Sequence, residues 1–428
     1  MSRLSRFNAG LAVALALGGS ASAAEVEVHG FLSQGLIASG RNAYLSPHST
    51  EGSFELNEAG INVGSNLSRN LRVGAQFYMR DMGDYGQHDV SLDWVLVDYF
   101  VSEELGIRAG RIKAPGGLYQ QIQDFDFLRS YALLPASAYD PTFRELANAY
   151  NGLAIYGSFE LGGAGRLEYQ AGAGDLSFST GGDIAVNARG LGLPEPVAIE
   201  SDYAAAAALD YYPVPELRIV LSAFHAHNFL ADTGLKIDGG QQLGPFRLGD
   251  LVGLDTASVY AVAFDQHRTL LNAGVQYTAG PWSFDLEYRQ DRHTNHRDWD
   301  ALNDGDFYAD GGYVGASVRI GDHWQVGGYY SKQWDRNDDR DGQRLASGTL
   351  SPSVAIGALR GKRSPDYQAW RQDVALGVNY FVSNRWIVKL EGHLASGTAR
   401  LGFYNADTPA SDRSEDWRFL VLKTSFSF

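Results

Sequence analysis

The 428 residues carry a net charge of −15, no cysteine, 50 glycines, and 21 Phe, 23 Tyr and 8 Trp beside only 3 Met. The acidic balance excludes a nucleic-acid partner, which needs a basic face. The missing cysteines exclude a disulfide framework, and the glycine and aromatic content points to β-structure with tight turns rather than helix.

Residues 1–23 read as a secretory signal peptide. Arg3 and Arg6 form a positive start, Leu11–Leu17 a short apolar stretch, and Ala21, Ser22 and Ala23 a small-residue cleavage site. That stretch is too short to cross about 30 Å of hydrocarbon as a helix, and no later run of about 18 apolar residues occurs. Residues 24–428 then form one large domain with no linker.

Strand-like runs follow in order: Val26–Ala38, Phe54–Leu67, Leu71–Asp81, Val90–Val101, Ile107–Ile112, Asn151–Leu161, Arg166–Gly174, Tyr203–Tyr212 and Leu217–His227. After a less regular region come Thr269–Thr278, Trp282–Asp291, Phe307–Ile320, His323–Trp334, Trp370–Phe381, Trp386–Ala395 and Glu415–Phe428. The irregular region has a possible extra hairpin arm at Ser258–Asp265. This gives about 16 strands.

The connections alternate between short turns and long loops, which puts all turns on one rim and all loops on the other. Strand faces alternate as well. In Leu71–Asp81, Leu71, Val73, Ala75, Phe77 and Met79 oppose Arg72, Gly74, Gln76 and Arg80. In Trp282–Asp291, Trp282, Phe284, Leu286 and Tyr288 oppose Asp285, Glu287, Arg289 and Asp291. Many of these strands are longer than those of a soluble sandwich and suit a tilted membrane crossing. Tyr99, Phe100, Tyr277, Trp282, Trp324, Tyr380 and Trp386 sit near the turns, at the depth where amphipathic rings meet headgroups. The prediction is an all-β, single transmembrane antiparallel barrel with short periplasmic turns and long extracellular loops. Closure satisfies every backbone hydrogen bond in lipid.

One segment breaks the alternation. Residues 113–150, KAPGGLYQQIQDFDFLRSYALLPASAYDPTFRELANAY, follow the fifth strand on the loop rim. The segment is too long for a turn and too aromatic for disorder. A barrel of this size encloses an aqueous channel, so the expectation is a loop folded inward as the pore constriction. Its candidate residues are Lys113, Asp124, Asp126, Arg129, Arg144 and Glu145, facing a pore wall that offers Arg72, Arg80, Arg111, Arg289 and Arg319. Phe125, Phe127, Leu128, Tyr131, Leu133 and Leu134 would pack on that wall. Charges of both signs share the lumen-side positions, which favours weak selectivity over a dedicated anion channel.

The closing residues FLVLKTSFSF, with Leu420, Leu422, Phe426 and Phe428 on one face and a terminal Phe, resemble the C-terminal assembly signal of Gram-negative outer-membrane porins. VEVHGFLSQG and GIRAGRIKAPGGLY resemble the porin-like family that includes phosphate-selective and dicarboxylate-type members. The resemblance implies a water-filled channel for small hydrophilic solutes in the cell outer membrane, and an inward loop after the fifth strand. It also implies a homotrimer, and contact with outer-membrane lipid, lipopolysaccharide and the assembly machinery that reads Phe426 and Phe428. Two alternatives stay open: a substrate-specific anion channel of the phosphate or dicarboxylate type, and a non-conducting surface barrel that binds a partner.

Other chemistry is sparse. Asn337, Asp339, Asp341 and Gly342 are spaced like half a calcium loop, but Gly348 stands where the bidentate Glu belongs, so this reads as a solvated acidic loop. The pairs His225/His227 and His293/His296 show no third ligand, and no metal or cofactor is assigned. No G-x-S-x-G, H-E-x-x-H or phosphate loop is present, and the chain does not read as an enzyme. The alanines of Ala204–Ala208 suggest a close approach by the inner loop or by another subunit.

Overall fold

The computed structural model describes residues 25–179, 181–190, 199–228, 236–238, 240, 242–243, 246–247, 250, 255, 257–261, 265–296, 305–349, 364–401, 404 and 412–428. The signal-peptide expectation for 1–23 lies outside these residues.

Alternating β-branched and aromatic residues produce sixteen antiparallel strands in one closed barrel, each paired with its neighbours in sequence. They are β1 Val26–Gly40, β2 Asn57–Asn66, β3 Leu71–Asp81, β4 Val90–Ser102, β5 Leu105–Lys113, β6 Ala149–Glu160, β7 Arg166–Asp175 and β8 Tyr203–Val214. The second half comprises β9 Leu217–His227, β10 Asp265–Ala279, β11 Trp282–His296, β12 Gly305–Ile320, β13 Trp324–Trp334, β14 Trp370–Ser383, β15 Trp386–Gly397 and β16 Asp416–Ser427. Closure runs from Phe31 opposite Ser427 to Gly40 opposite Arg418. Gly30 and Phe428 exchange two backbone hydrogen bonds of 3.0 Å at the seam.

The expected extra arm is not a wall strand. Within it, Val259–Ala261 pairs with Lys236–Asp238 in a separate two-stranded sheet. Its few ladder bonds leave the sixteen-strand closure intact.

The outward faces carry Leu153, Leu376 and Leu394 at 63%, 68% and 68% exposure, an apolar band that places the barrel across a lipid bilayer. Near the turns, Tyr99, Tyr277, Trp282, Trp324 and Trp386 are exposed, and the Trp324 and Tyr380 rings lie 4.6 Å apart. The inward faces are polar yet buried, including Asp285, Glu287, Lys389, Glu391 and Lys423. A buried charge is costly unless paired, so the lumen must contain other protein groups.

Two local features set up the interior. A bulge between Gln76 and Phe77 turns both Asp93 and Trp94 toward Gln76, which donates to Asp93 at 3.0 Å and accepts from the Trp94 indole at 3.0 Å. Ala204 and Ala206 of β8 lie in one buried cluster with Ala114 and Leu146 of the inner segment. Small side chains stand there because the inner segment comes close, one of the two approaches expected from sequence.

Candidate functional site

Residues 113–150 lie inside the barrel and are fastened to its wall on several sides. Gly117, at φ +52°, donates its N–H to Ser222 of β9 at 3.1 Å. A Cβ there would lie 2.0 Å from a Glu287 carboxylate oxygen, so only glycine fits. Tyr119 and Tyr131 donate their hydroxyls to Asp285 of β11 at 2.8 and 2.9 Å, and Tyr139 donates to Glu287 at 2.6 Å. Gly315 leaves room for Tyr131, whose hydroxyl would lie 2.1 Å from a Cβ at that position.

Between these phenols the backbone runs along β14 and β15. Lys389 Nζ donates to the carbonyls of Arg129 and Tyr131 at 2.6 and 3.1 Å. Asn379 donates to the Ser130 carbonyl at 2.7 Å, and Glu391 accepts the N–H groups of Ala132 and Leu133 at 2.9 and 3.0 Å. A segment with no ladder of its own thus meets its backbone groups through side chains of the wall.

The opposite side of the segment is ionic. Asp126 accepts from Ser33 of β1 at 2.9 Å, from Ser425 and Lys423 of β16, and from Arg129. Lys423 also reaches Glu58 of β2 at 2.6 Å. Asp124 accepts from Lys113 and Arg144, both at 2.7 Å, and Arg144 continues to Asp93 of β4 at 3.1 Å. Burial alone would raise both aspartates, but Arg144 and Lys113 hold Asp124, and Arg129 and Lys423 hold Asp126, far below the usual carboxylate range. Removing one partner from a buried ion pair costs about 3–5 kcal/mol.

Glu145 is arranged differently. Its N–H donates to Asp183 at 3.1 Å, and Asp183, on helix α1 (Asp183–Gly190), is paired with Arg80. One Glu145 carboxylate oxygen has no hydrogen-bond partner. Burial and the Asp183 charge raise its carboxyl to about 7.

The residues expected to form the constriction are therefore gathered in the lumen, but Asp124 and Asp126 are buried in ion pairs. Of the wall arginines, Arg80 and Arg289 reach the segment, donating to the carbonyls of Pro141 (3.2 Å) and Ala138. Arg111 donates to the Asp93 carbonyl at 3.2 Å. Arg72 and Arg319 are exposed near the turns, where Arg319 donates to the Asp322 carbonyl at 3.1 Å. Phe125 packs on Phe31 at 5.2 Å and Tyr131 on Tyr329 at 5.1 Å, whereas Leu128 stays 57% exposed.

Sequence reasoning missed Glu58, Lys423 and Asp183. Lys423 was detectable as the one basic residue on the inward set of β16, between Val421 and Ser425, whereas Asp183 carries no local signal. Beside the ionic side of the segment lies a cavity of about 60 Å³, bounded on the wall by Leu56, Glu58, Arg80, Met82 and Lys423.

Away from the lumen, Asp339 accepts the N–H groups of Arg344 and Leu345, both at 2.9 Å, at the start of helix α2 (Gln343–Ser347). Its carboxylate serves as a helix cap. His225 and His227 are joined by His267, the His227 and His267 rings stacking at 4.0 Å. His293 pairs with Asp291 at 3.1 Å. Among the described residues no group of three ligands is placed to hold a metal ion.

No protein-family model and no curated protein matches the chain. Its backbone is similar to outer-membrane-expressed OmpT of Vibrio cholerae, with TM-score 0.56 and 12% identity over 96% of this chain and 99% of that one. It is similar to the anion-selective porin from Comamonas acidovorans, with TM-score 0.54 and 11% identity over 95% and 100%. Salmonella typhi OmpF, in a complex with daunomycin, aligns with TM-score 0.56 and 8% identity over 95% and 98%. With sixteen strands closed on themselves, an apolar outer band and a long segment lying in the lumen, the chain has the fold of the outer-membrane porins.

Proposed function

We propose that the chain is an outer-membrane porin, not an enzyme, through which small hydrophilic solutes and ions diffuse passively and with weak selectivity. Residues 113–150 act as its constriction. The observation that carries this reading is the charge balance around the segment. Lys113, Arg80, Arg129, Arg144, Lys389 and Lys423 are matched by Glu58, Asp93, Asp124, Asp126, Asp183 and Glu391, and most of these charges are bound to one another. Paired charges project little net field into a pore, whereas a dedicated anion channel needs an excess of one sign. In this reading the mature chain starts at Ala24, and Phe426 and Phe428 are presented to the assembly machinery. The barrel works as a homotrimer among outer-membrane lipid and lipopolysaccharide.

Purified protein added to a planar bilayer should give stepwise conductance, with a reversal potential close to zero in a salt gradient. A second reading draws on the breadth of the fastening: a segment tied to β1, β9, β11, β14, β15 and β16 could plug the lumen of a non-conducting surface-binding barrel. Folded protein that never conducts would decide for it.

A further inference from the structure

The cavity of about 60 Å³ beside the ionic edge has a specific chemistry. Four cationic side chains line it, Arg80, Arg129, Arg144 and Lys423, against two carboxylates, Glu58 and Asp124. All four cations are ion-paired, to Glu58 and Asp124 on the lining or to Asp93, Asp126 and Asp183 outside it, so what the cavity offers a ligand is donors rather than net charge.

Two donors on this lining are unused. Arg129 is 8% exposed, and its terminal nitrogen is bound to Asp126 while its Nε–H has no partner. Gln123 Nε2 is also buried without a partner. A buried donor left unbonded costs about 1–3 kcal/mol, and two of them on one small cavity call for an acceptor. The rest of the wall is mostly apolar, with Leu45, Leu56, Met82, Leu133 and Leu134 beside the rings of Tyr44 and Tyr139. At roughly 10–15 Å³ for each water-sized position, the space admits a molecule of about five heavy atoms.

We propose that this cavity is a binding subsite for a small monocarboxylate with a short aliphatic chain, of propionate size. Its carboxylate accepts from Arg129 Nε–H and the Gln123 amide, and its alkyl end lies on the leucine and methionine side chains. A divalent or fully polar oxyanion satisfies the donors but leaves its other oxygens against apolar carbon, which is unfavourable. A neutral amide of the same shape offers one acceptor oxygen to two donors and sets its own NH2 against the other. The inference rests on the channel reading for its physiological meaning but not for its existence.

The test titrates folded, detergent-solubilised protein calorimetrically with sodium propionate, propionamide and inorganic phosphate, and measures block of bilayer conductance by the same three. Propionate should bind at least about tenfold more tightly than either of the others. Arg129→Lys keeps the charge beside Asp126 and removes the Nε–H donor, and should weaken propionate about tenfold. Gln123→Leu leaves every ion pair in place and should weaken it several-fold, which keeps the test decisive where the arginine variant does not fold. Equal affinity for propionate and propionamide, tighter binding of phosphate, or no binding of propionate would each overturn the subsite. Propionate binding by a protein that never conducts would uphold the subsite and sink the channel reading. Conductance without any discrimination among the three probes would do the reverse.

Discussion

The two edges of the inward segment are fastened in different ways. Along β11 the bonds are phenol to carboxylate, with Tyr119 and Tyr131 on Asp285 and Tyr139 on Glu287. The rings form a continuous apolar cluster with Leu118, Val220, Tyr313 and Tyr329. Along β1, β2, β4 and β16 the fasteners are ion pairs of Asp124 and Asp126, and the cavity opens beside them. Large aromatic rings close-pack and exclude water. Guanidinium and carboxylate groups need polar surroundings, and the geometry that serves them leaves gaps. In the channel proposed above, the aromatic edge is the sealed side of the lumen and the ionic edge the side along which a solute passes.

The largest effect should come from removing the ionic edge. Deleting Asp124–Arg129 should raise single-channel conductance several-fold and weaken any ion preference in a barrel that still folds. Unchanged conductance would show that the passage lies elsewhere. An intermediate effect is expected at the aromatic edge. Tyr139→Phe removes the bond to Glu287 and should lower stability by about 1–3 kcal/mol in denaturant unfolding, with conductance unaltered; a wider channel in this variant would erase the distinction between the edges.

The smallest effect concerns Glu145, where the segment meets α1. Its carboxyl is raised from the ordinary 4.5 to about 7, so the folded form holds the proton more tightly than the unfolded form. The contribution to stability is complete below about pH 4.5 and is lost as pH rises through about 7. The stability of the wild type relative to Glu145→Gln should therefore fall as pH rises from about 4.5 to about 7. Parallel melting curves would remove Glu145 from the contact.

Much of this architecture was legible in the chain. Period-two alternation in Leu71–Asp81 and Trp282–Asp291 identified lipid and lumen faces, because a strand's side-chain direction is a local property. The length of the segment after β5, set against short turns elsewhere, marked it as an insertion on the loop rim. Its partners were not legible. Asp126 meets Lys423 across 297 positions, and Ala132 meets Glu391 across 259. The bulge that aims Asp93 inward depends on pairing with β3.

Local periodicity and connection length thus carried a count of about sixteen strands, the two faces of each and a long irregular segment on the loop rim. Tertiary packing, not local pattern, makes Asp124 and Asp126 buried anchors, brings Lys423 and Glu58 to them, and leaves the Arg129 Nε–H and the Gln123 amide without partners beside the cavity. Those outcomes depend on which wall positions barrel closure brings opposite the segment, and closure is a property of all sixteen strands together.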